Sequence, residues 1–144
     1  VSDHGLEYVM YKPASFETVE EIFAKRFKGE VITHEEELVF KTAFMVALGK
    51  EYNKKNNRIA AICAAPSILG NLGLLEGKKA MAFPGFEMQL TGAVIITAPE
   101  RVVTDGNITT SRGMGTSLDL GLELVRLIKG EELAEQLRTS TQYI

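Results

Sequence analysis

The stretch Ile59-Ala60-Ala61-Ile62-Cys63-Ala64-Ala65-Pro66 constrains the fold more than any other part of the chain. Ile59–Ile62 is apolar at every position instead of at alternate ones, the pattern of a strand buried on both faces of a parallel sheet. Pro66 has no N–H to give to a ladder but suits the first turn of a helix. The run therefore predicts a strand that turns sharply at Cys63 into a helix of about Pro66–Leu74. A chain organised around such a unit is α/β.

On the C-terminal side the same alternation continues. Leu74–Lys78 reads as a loop and Lys79–Phe83 as a strand, followed by a turn at Pro84-Gly85-Phe86. Val94–Thr97 and Arg101–Thr104 read as strands joined by a turn at Ala98-Pro99-Glu100. Asp105-Gly106 is a type I′ hairpin signal leading into Asn107–Thr110. Thr116 or Ser117 caps a helix carrying Leu118, Leu120, Leu122, Leu124 and Val125. Gly130 ends it, and Glu131–Arg138 forms a last short helix.

The N-terminal side is helical in pattern. Ser15 is an N-cap for a helix in which Phe16, Val19, Ile22, Phe23 and Phe27 recur at helical spacing until Gly29. Thr33 and Glu36 make a T-x-x-E capping box for a second helix. It carries Phe40, Ala43, Phe44, Ala47, Leu48 and Tyr52, and dissolves into Asn53-Lys54-Lys55-Asn56-Asn57. Both helices read as core packing on one face and solvated charge on the other.

Bulk properties exclude several function classes. At 144 residues with 45% hydrophobic content, the chain can bury a core. A net charge of -3 leaves no basic surplus to neutralise phosphates, so no nucleic acid is expected as a partner. The apolar runs are too short to span a bilayer, so no membrane association is expected. No leader of charged and then apolar residues is legible at Val1. One cysteine excludes an intramolecular disulfide and fits a reducing compartment, so a cytoplasmic location is expected.

Five ordered motifs carry a resemblance. Ala60-Ala61-Ile62-Cys63-Ala64-Ala65-Pro66 is followed by Leu72-Gly73-Leu74-Leu75-Glu76-Gly77-Lys78 and Phe83-Pro84-Gly85-Phe86-Glu87. Val103-Thr104-Asp105-Gly106-Asn107 and Thr110-Ser111-Arg112-Gly113-Met114-Gly115-Thr116 complete the set. In this order and spacing, residues 57–144 resemble the C-terminal half of the ThiJ/PfpI family. The resemblance implies a flavodoxin-like three-layer α/β fold, here partial, with a parallel sheet and helices on both faces. It also implies usual dimerisation, and glyoxalase, deglycase, protease or chaperone activities among the branches.

The family's first half would supply a Rossmann-like unit before the cysteine strand, and none is legible here. Instead Ser2-Asp3-His4-Gly5-Leu6-Glu7, Phe27-Lys28-Gly29-Glu30, Thr33-His34-Glu35-Glu36 and Phe44-Met45 with Leu48-Gly49-Lys50 resemble a segment of uronate isomerase. Residues 1–56 are thus expected to be a helical segment from one parent and 57–144 an α/β segment from another. The two are expected to make one compact domain, with the junction near Asn56. A chimera, engineered or recombined, accounts for both resemblances; a divergent natural member of the family is the alternative.

Cys63 is the candidate nucleophile, because a strand-to-helix elbow sets its sulfur near backbone N–H groups that favour an anion. Ala64 N–H is the candidate oxyanion donor, and Arg112 is a candidate for orienting an anionic substrate. The resemblance also implies a glutamate from the family's first strand against the cysteine, and a glycine-rich turn completing the oxyanion site. Neither is legible, although Glu7 and Glu30 are carboxylates that could approach. The histidine that precedes proline in some branches is Phe83 here. Asp3 and His4 match part of the isomerase site, but His34 is the only other histidine and reads as a solvated helix-cap residue. No metal and no cofactor are expected.

Three functional alternatives remain open from sequence. The preferred one is a folded chimera with no intact active site that retains the elbow cysteine. The others are a cysteine-dependent glyoxalase, deglycase or amidase, and a chaperone-like interaction module. A parallel strand lacking neighbours also leads to the expectation of a homodimer, with exchange of segments between chains as one route.

Overall fold

The computed structural model describes residues 11–143. The chain divides into two compact units, Val1–Lys55 and Asn56–Ile144.

The first unit is a helix pair, α1 (Phe16–Phe27) and α2 (His34–Lys54). The side-chain oxygen of Ser15 accepts from Thr18 N–H at 3.3 Å, satisfying one of the four donors that every helix start leaves open. At α2 both halves of the capping box form: Glu36 N–H donates to Thr33 Oγ1 at 3.2 Å, and Thr33 N–H to Glu36 Oε2 at 2.8 Å. The second oxygen of Glu36 pairs with Lys25 Nζ of α1 at 2.5 Å, so one carboxylate caps α2 and ties it to α1. Phe23 stacks on Phe27 and Phe40, with centroids 5.9 and 6.2 Å apart. The apolar stripe is less covered than its spacing suggests. Ile22, Val39 and Thr42 are buried, whereas Phe16, Phe23 and Phe27 stay exposed.

The second unit alternates β1 (Ile59–Ile62), α3 (Pro66–Asn71), β2 (Lys79–Ala80), β3 (Val94–Ile95), β4 (Val102–Asp105), β5 (Ile108–Ser111), α4 (Ser117–Lys129) and α5 (Glu131–Ser140). β1 pairs in parallel with β5, from Ile59↔Ile108 to Ile62↔Ser111. β4 pairs antiparallel with β5 across the Gly106 turn, where φ is +61°. The principal sheet is therefore mixed, in the order β1-β5-β4, with β2 and β3 forming a separate parallel pair.

Several sequence expectations change. The strands expected over Lys79–Phe83 and Val94–Thr97 end at Ala80 and Ile95, and the sheet expected to be parallel is mixed. The segments around Val94 and Val102 do not form a hairpin with each other: Ile96 N–H extends the β3 ladder onto Ala80, while β4 gives its ladder groups to β5. The tight Asp105-Gly106 turn makes the β4–β5 pairing local, and local pairing wins. Helix α3 stops at Asn71 instead of Leu74, because Gly73 at φ +70° turns the chain away. And β1 is not buried on both faces, since Ala61 is in the core while Ala60 is exposed.

The core of this unit gathers Ala61, Leu69, Leu75, Ala80, Ala82, Leu90 and Ile108. Leu75 is fully buried, which contributes about 1.5–3 kcal/mol relative to exposure. α3 reaches this core only because residue 70 is glycine. A Cβ there would collide with the Gln89 carbonyl oxygen and lie 2.8 Å from Leu90 Cα, both backbone atoms that no rotamer change can move.

Candidate functional site

Cys63 follows β1 directly and sits at φ +66°, a left-handed conformation that costs a residue with a Cβ roughly 1–2 kcal/mol. Such a conformation persists only where its surroundings over-determine it, and here they do. Cys63 N–H donates to Ser111 O at 3.0 Å and Cys63 O accepts from Phe83 N–H at 2.8 Å, so three segments meet at the elbow. Beyond it, Ala65 N–H donates to Ile62 O at 3.2 Å, and Ser67 donates to Ala64 O through both N–H, at 3.0 Å, and Oγ, at 2.7 Å.

The donors near the sulfur reduce to few. Pro66 has no N–H, and those of Ala65, Ser67 and Ile68 are consumed by turn carbonyls. Ala64 N–H takes part in none of these bonds. The Cys63 side chain is partly buried, and among the described residues no side chain hydrogen-bonds to its sulfur. Arg112 lies one residue past β5, alongside the elbow in the β1–β5 register, and its Nε is buried without a hydrogen-bond partner. Phe83 is exposed, and its ring lies against Gly113, 3.2 Å from where a Cβ would stand.

Residues that sequence reasoning missed hold this arrangement. Ser111 and Thr116 are buried, their hydroxyl oxygens 2.6 Å apart. Ser111 Oγ donates to Arg101 O at 2.8 Å, and Thr116 Oγ1 accepts from Gly113 N–H at 3.1 Å while lying 2.9 Å from Gly113 O. This network fixes the turn from Ser111 to Thr116, and with it the carbonyl that anchors Cys63. The five-residue spacing of the two hydroxyls carries no familiar signature, so only the turn geometry reveals them.

A cavity of about 420 Å³ bordered by β4, α4 and α5 has neither Cys63 nor Arg112 in its lining. Its three arginines are already engaged: Arg101 Nε with Asp119 Oδ2 at 2.7 Å, Arg126 Nε with Glu123 Oε2 at 2.7 Å and Arg138 Nε with Glu135 Oε2 at 3.4 Å. Tyr143 OH also donates to Asp119, at 2.7 Å. Burial opposes ionisation of Asp119, but the hydrogen bonds from Tyr143 and Arg101 outweigh it and hold the carboxyl below its usual range. This is a clasp between β4, α4 and the C-terminal residues.

Asp3, His4 and Glu7 lie outside the described residues. His34 is exposed at the start of α2, with Nδ1 3.7 Å from Glu37. Glu30 is exposed in the turn between α1 and α2. Among the described residues no cluster of His, Cys, Asp and Glu could hold a metal ion, and no helix is long and apolar enough to cross a membrane.

The model of the DJ-1/PfpI family matches residues 33–127, which takes in the elbow, β5 and the turn that anchors it. The chain belongs to the DJ-1/PfpI family. The match begins upstream of Asn56, so α2 is included in it. Protein DJ-1 homolog A of Arabidopsis thaliana is 43% identical over 79 residues, which is 54% of this chain and 20% of that protein. The crystal structure of Drosophila melanogaster DJ-1beta superposes with a TM-score of 0.63 at 30% identity, covering 71% of this chain and 55% of the fly chain. The fold is accordingly flavodoxin-like α/β. Uronate isomerase of Lachnospira eligens is 70% identical over 56 residues, 39% of this chain and 12% of the isomerase. The chain thus spans about half of its solved DJ-1 relatives and about an eighth of the isomerase.

Proposed function

We propose that the chain is a recombinant of a uronate isomerase segment and a DJ-1/PfpI segment, engineered or natural in origin, whose elbow cysteine is chemically accessible but catalytically feeble. The observation that carries this reading is the Cys63 elbow itself. It keeps a left-handed backbone held by Ser111 and Phe83, yet no acid, base or cation hydrogen-bonds to the sulfur among the described residues. A positioned proton donor or base typically contributes about 10²–10⁴-fold to turnover. Position 83, which borders the elbow, carries phenylalanine, which can supply neither. A strained, partly exposed thiol with no hydrogen-bonded side chain among the described residues is a site for modification more than for turnover.

The experiment labels the full chain with iodoacetamide and follows Cys63 by mass spectrometry, with Cys63→Ser as the control. Labelling in the folded state, at a rate not limited by global unfolding, is expected. A thiol that reacts only on unfolding would contradict the reading.

A second reading, a cysteine-dependent glyoxalase, deglycase or amidase, is favoured by two observations. The Ala64 N–H is unengaged and so able to meet an oxyanion, and the buried Arg112 Nε lacks a partner that an anionic substrate would provide. Turnover abolished by both Cys63→Ser and Arg112→Met would support it.

A further inference from the structure

Helix α5 ends in a closure that aims one side chain at the turn beside Cys63. Gln142 N–H donates to Thr139 O at 3.1 Å and Tyr143 N–H to Arg138 O at 3.0 Å, the two bonds of a Schellman motif. The residue that turns the chain is Gln142 at φ +55°, a left-handed conformation usually left to glycine. A residue with a side chain keeps that conformation only where its surroundings over-determine it, and Tyr143 supplies the holding contacts. Its OH donates to Asp119 Oδ2 at 2.7 Å and accepts from Arg101 Nη2 at 3.2 Å. The Arg138 guanidinium lies 5.7 Å from its ring centroid.

Arg101 carries this clasp to the elbow, because it grips the turn from Ser111 to Thr116 at two points. Its backbone carbonyl accepts from Ser111 Oγ at 2.8 Å, and its Nη2 donates to Gly115 O at 2.5 Å. Asp119 Oδ2 accepts from Nε of the same guanidinium at 2.7 Å, so one planar fork spans Asp119, Tyr143 and Gly115. A half-exposed arginine has many rotamers, and its hold on Gly115 depends on the partners that keep it in one of them. Ser111 in turn gives its own carbonyl to Cys63 N–H. The contacts run from Tyr143 through Arg101 and the turn to Cys63, all within the second unit.

We propose that Arg101 is a positioning residue for the Cys63 elbow and that Tyr143 holds it in place, so that release of Tyr143 loosens the elbow and speeds modification of the thiol. The rate rises because the sulfur is partly buried, and its left-handed backbone relaxes once the anchor weakens. The effect on the thiol rests on the reading of Cys63 given above, whereas the coupling of Tyr143 to the turn does not.

The test is hydrogen exchange on the full chain, with iodoacetamide labelling of Cys63 in parallel, for the parent, Tyr143→Phe, Arg101→Met and the double variant. Tyr143→Phe removes only the phenol oxygen. Exchange at the Cys63 and Thr116 amides is expected to rise about three- to tenfold, the effect of one lost hydrogen bond. Ile96 N–H, bonded to Ala80 O in the β3 ladder, should exchange as in the parent. Arg101→Met should raise the same two amides at least as much. Adding Tyr143→Phe to it should then do nothing more, because the phenol acts through the guanidinium. Labelling should quicken by a similar factor. If Arg101→Met fails to fold, the Tyr143→Phe comparison alone decides. Unchanged exchange at Cys63 and Thr116, an equal rise at Ile96, or a full Tyr143→Phe effect in the Arg101→Met background would overturn the proposal. So would labelling that stays at the parent's rate. A parent thiol that never labels while folded would instead contradict the reading of Cys63, and the amides would still decide the coupling.

Discussion

Thr116→Val removes one oxygen from the network that fixes the elbow and changes almost nothing in volume. Gly113 N–H then loses its acceptor, 3.1 Å away in a buried turn, and Ser111 Oγ loses a neighbour at 2.6 Å while keeping Arg101 O. One buried donor left unsatisfied costs about 1–3 kcal/mol. Thr116→Ser keeps the hydroxyl and sheds only a methyl group, worth about 0.8 kcal/mol. The expected order of stability is parent, then serine, then valine, with valine about 2 kcal/mol below the parent. For a chain of this size that shift is roughly 4–8 °C in Tm. Urea unfolding followed by far-UV circular dichroism measures the difference, and iodoacetamide labelling tells whether Cys63 loosens with the turn. If valine were as stable as serine, the hydroxyl network would not be what holds this turn, and the account of the elbow's rigidity would fail.

Other predictions concern backbone and charge. Cys63→Gly should be at least as stable as Cys63→Ala by thermal melting, reversing the usual advantage of alanine of about 0.5–1 kcal/mol, because φ is +66° there; alanine clearly ahead would mean the elbow is not left-handed. Gly70→Ala should lose about 3 kcal/mol, the upper end of the usual overpacking cost, or fail to fold, since the new Cβ meets backbone atoms of Gln89 and Leu90. Glu36 is held at about 2 by hydrogen bonds from Lys25 and from Thr33 N–H. A depressed carboxyl stabilises the folded state above its unfolded value of 4.5, and that contribution disappears as pH falls toward 2. Acid titration of the helix pair should therefore show a loss of stability in this window that Glu36→Gln largely removes.

What could be read from the sequence was what neighbouring residues encode. The Ser15 cap, the Thr33–Glu36 box, the Pro66 helix start and the Asp105-Gly106 turn each depend on a few adjacent side chains, and each stands where expected. Only Gly106 and not Asn107 has positive φ, however, so the turn is not the type I′ form the dipeptide signals. What escaped was set by distance in sequence. Whether Val94 joins β2 or β4 depends on which partner is free, and Ala60 is exposed because its side chain points to the face of β1 opposite the buried Ala61. The candidate site divides the same way. Cys63 was visible as an elbow, but Ser111 and Thr116 act through a turn whose hydroxyls look like any other polar pair. Equally, Ser67 and Ile68 N–H groups that a helix start would offer to the sulfur are taken up by turn carbonyls in the short α3.

The Cys63 elbow keeps its left-handed backbone while, among the described residues, no acid, base or cation hydrogen-bonds to its sulfur, and we propose that turnover is feeble for that reason. Steady-state consumption of methylglyoxal by the full chain, measured beside Cys63→Ser at equal concentration, tests this most directly. The two rates are expected to coincide near the uncatalysed background, even though Cys63 in the parent chain alkylates. Robust consumption by the parent that vanishes in Cys63→Ser would contradict it.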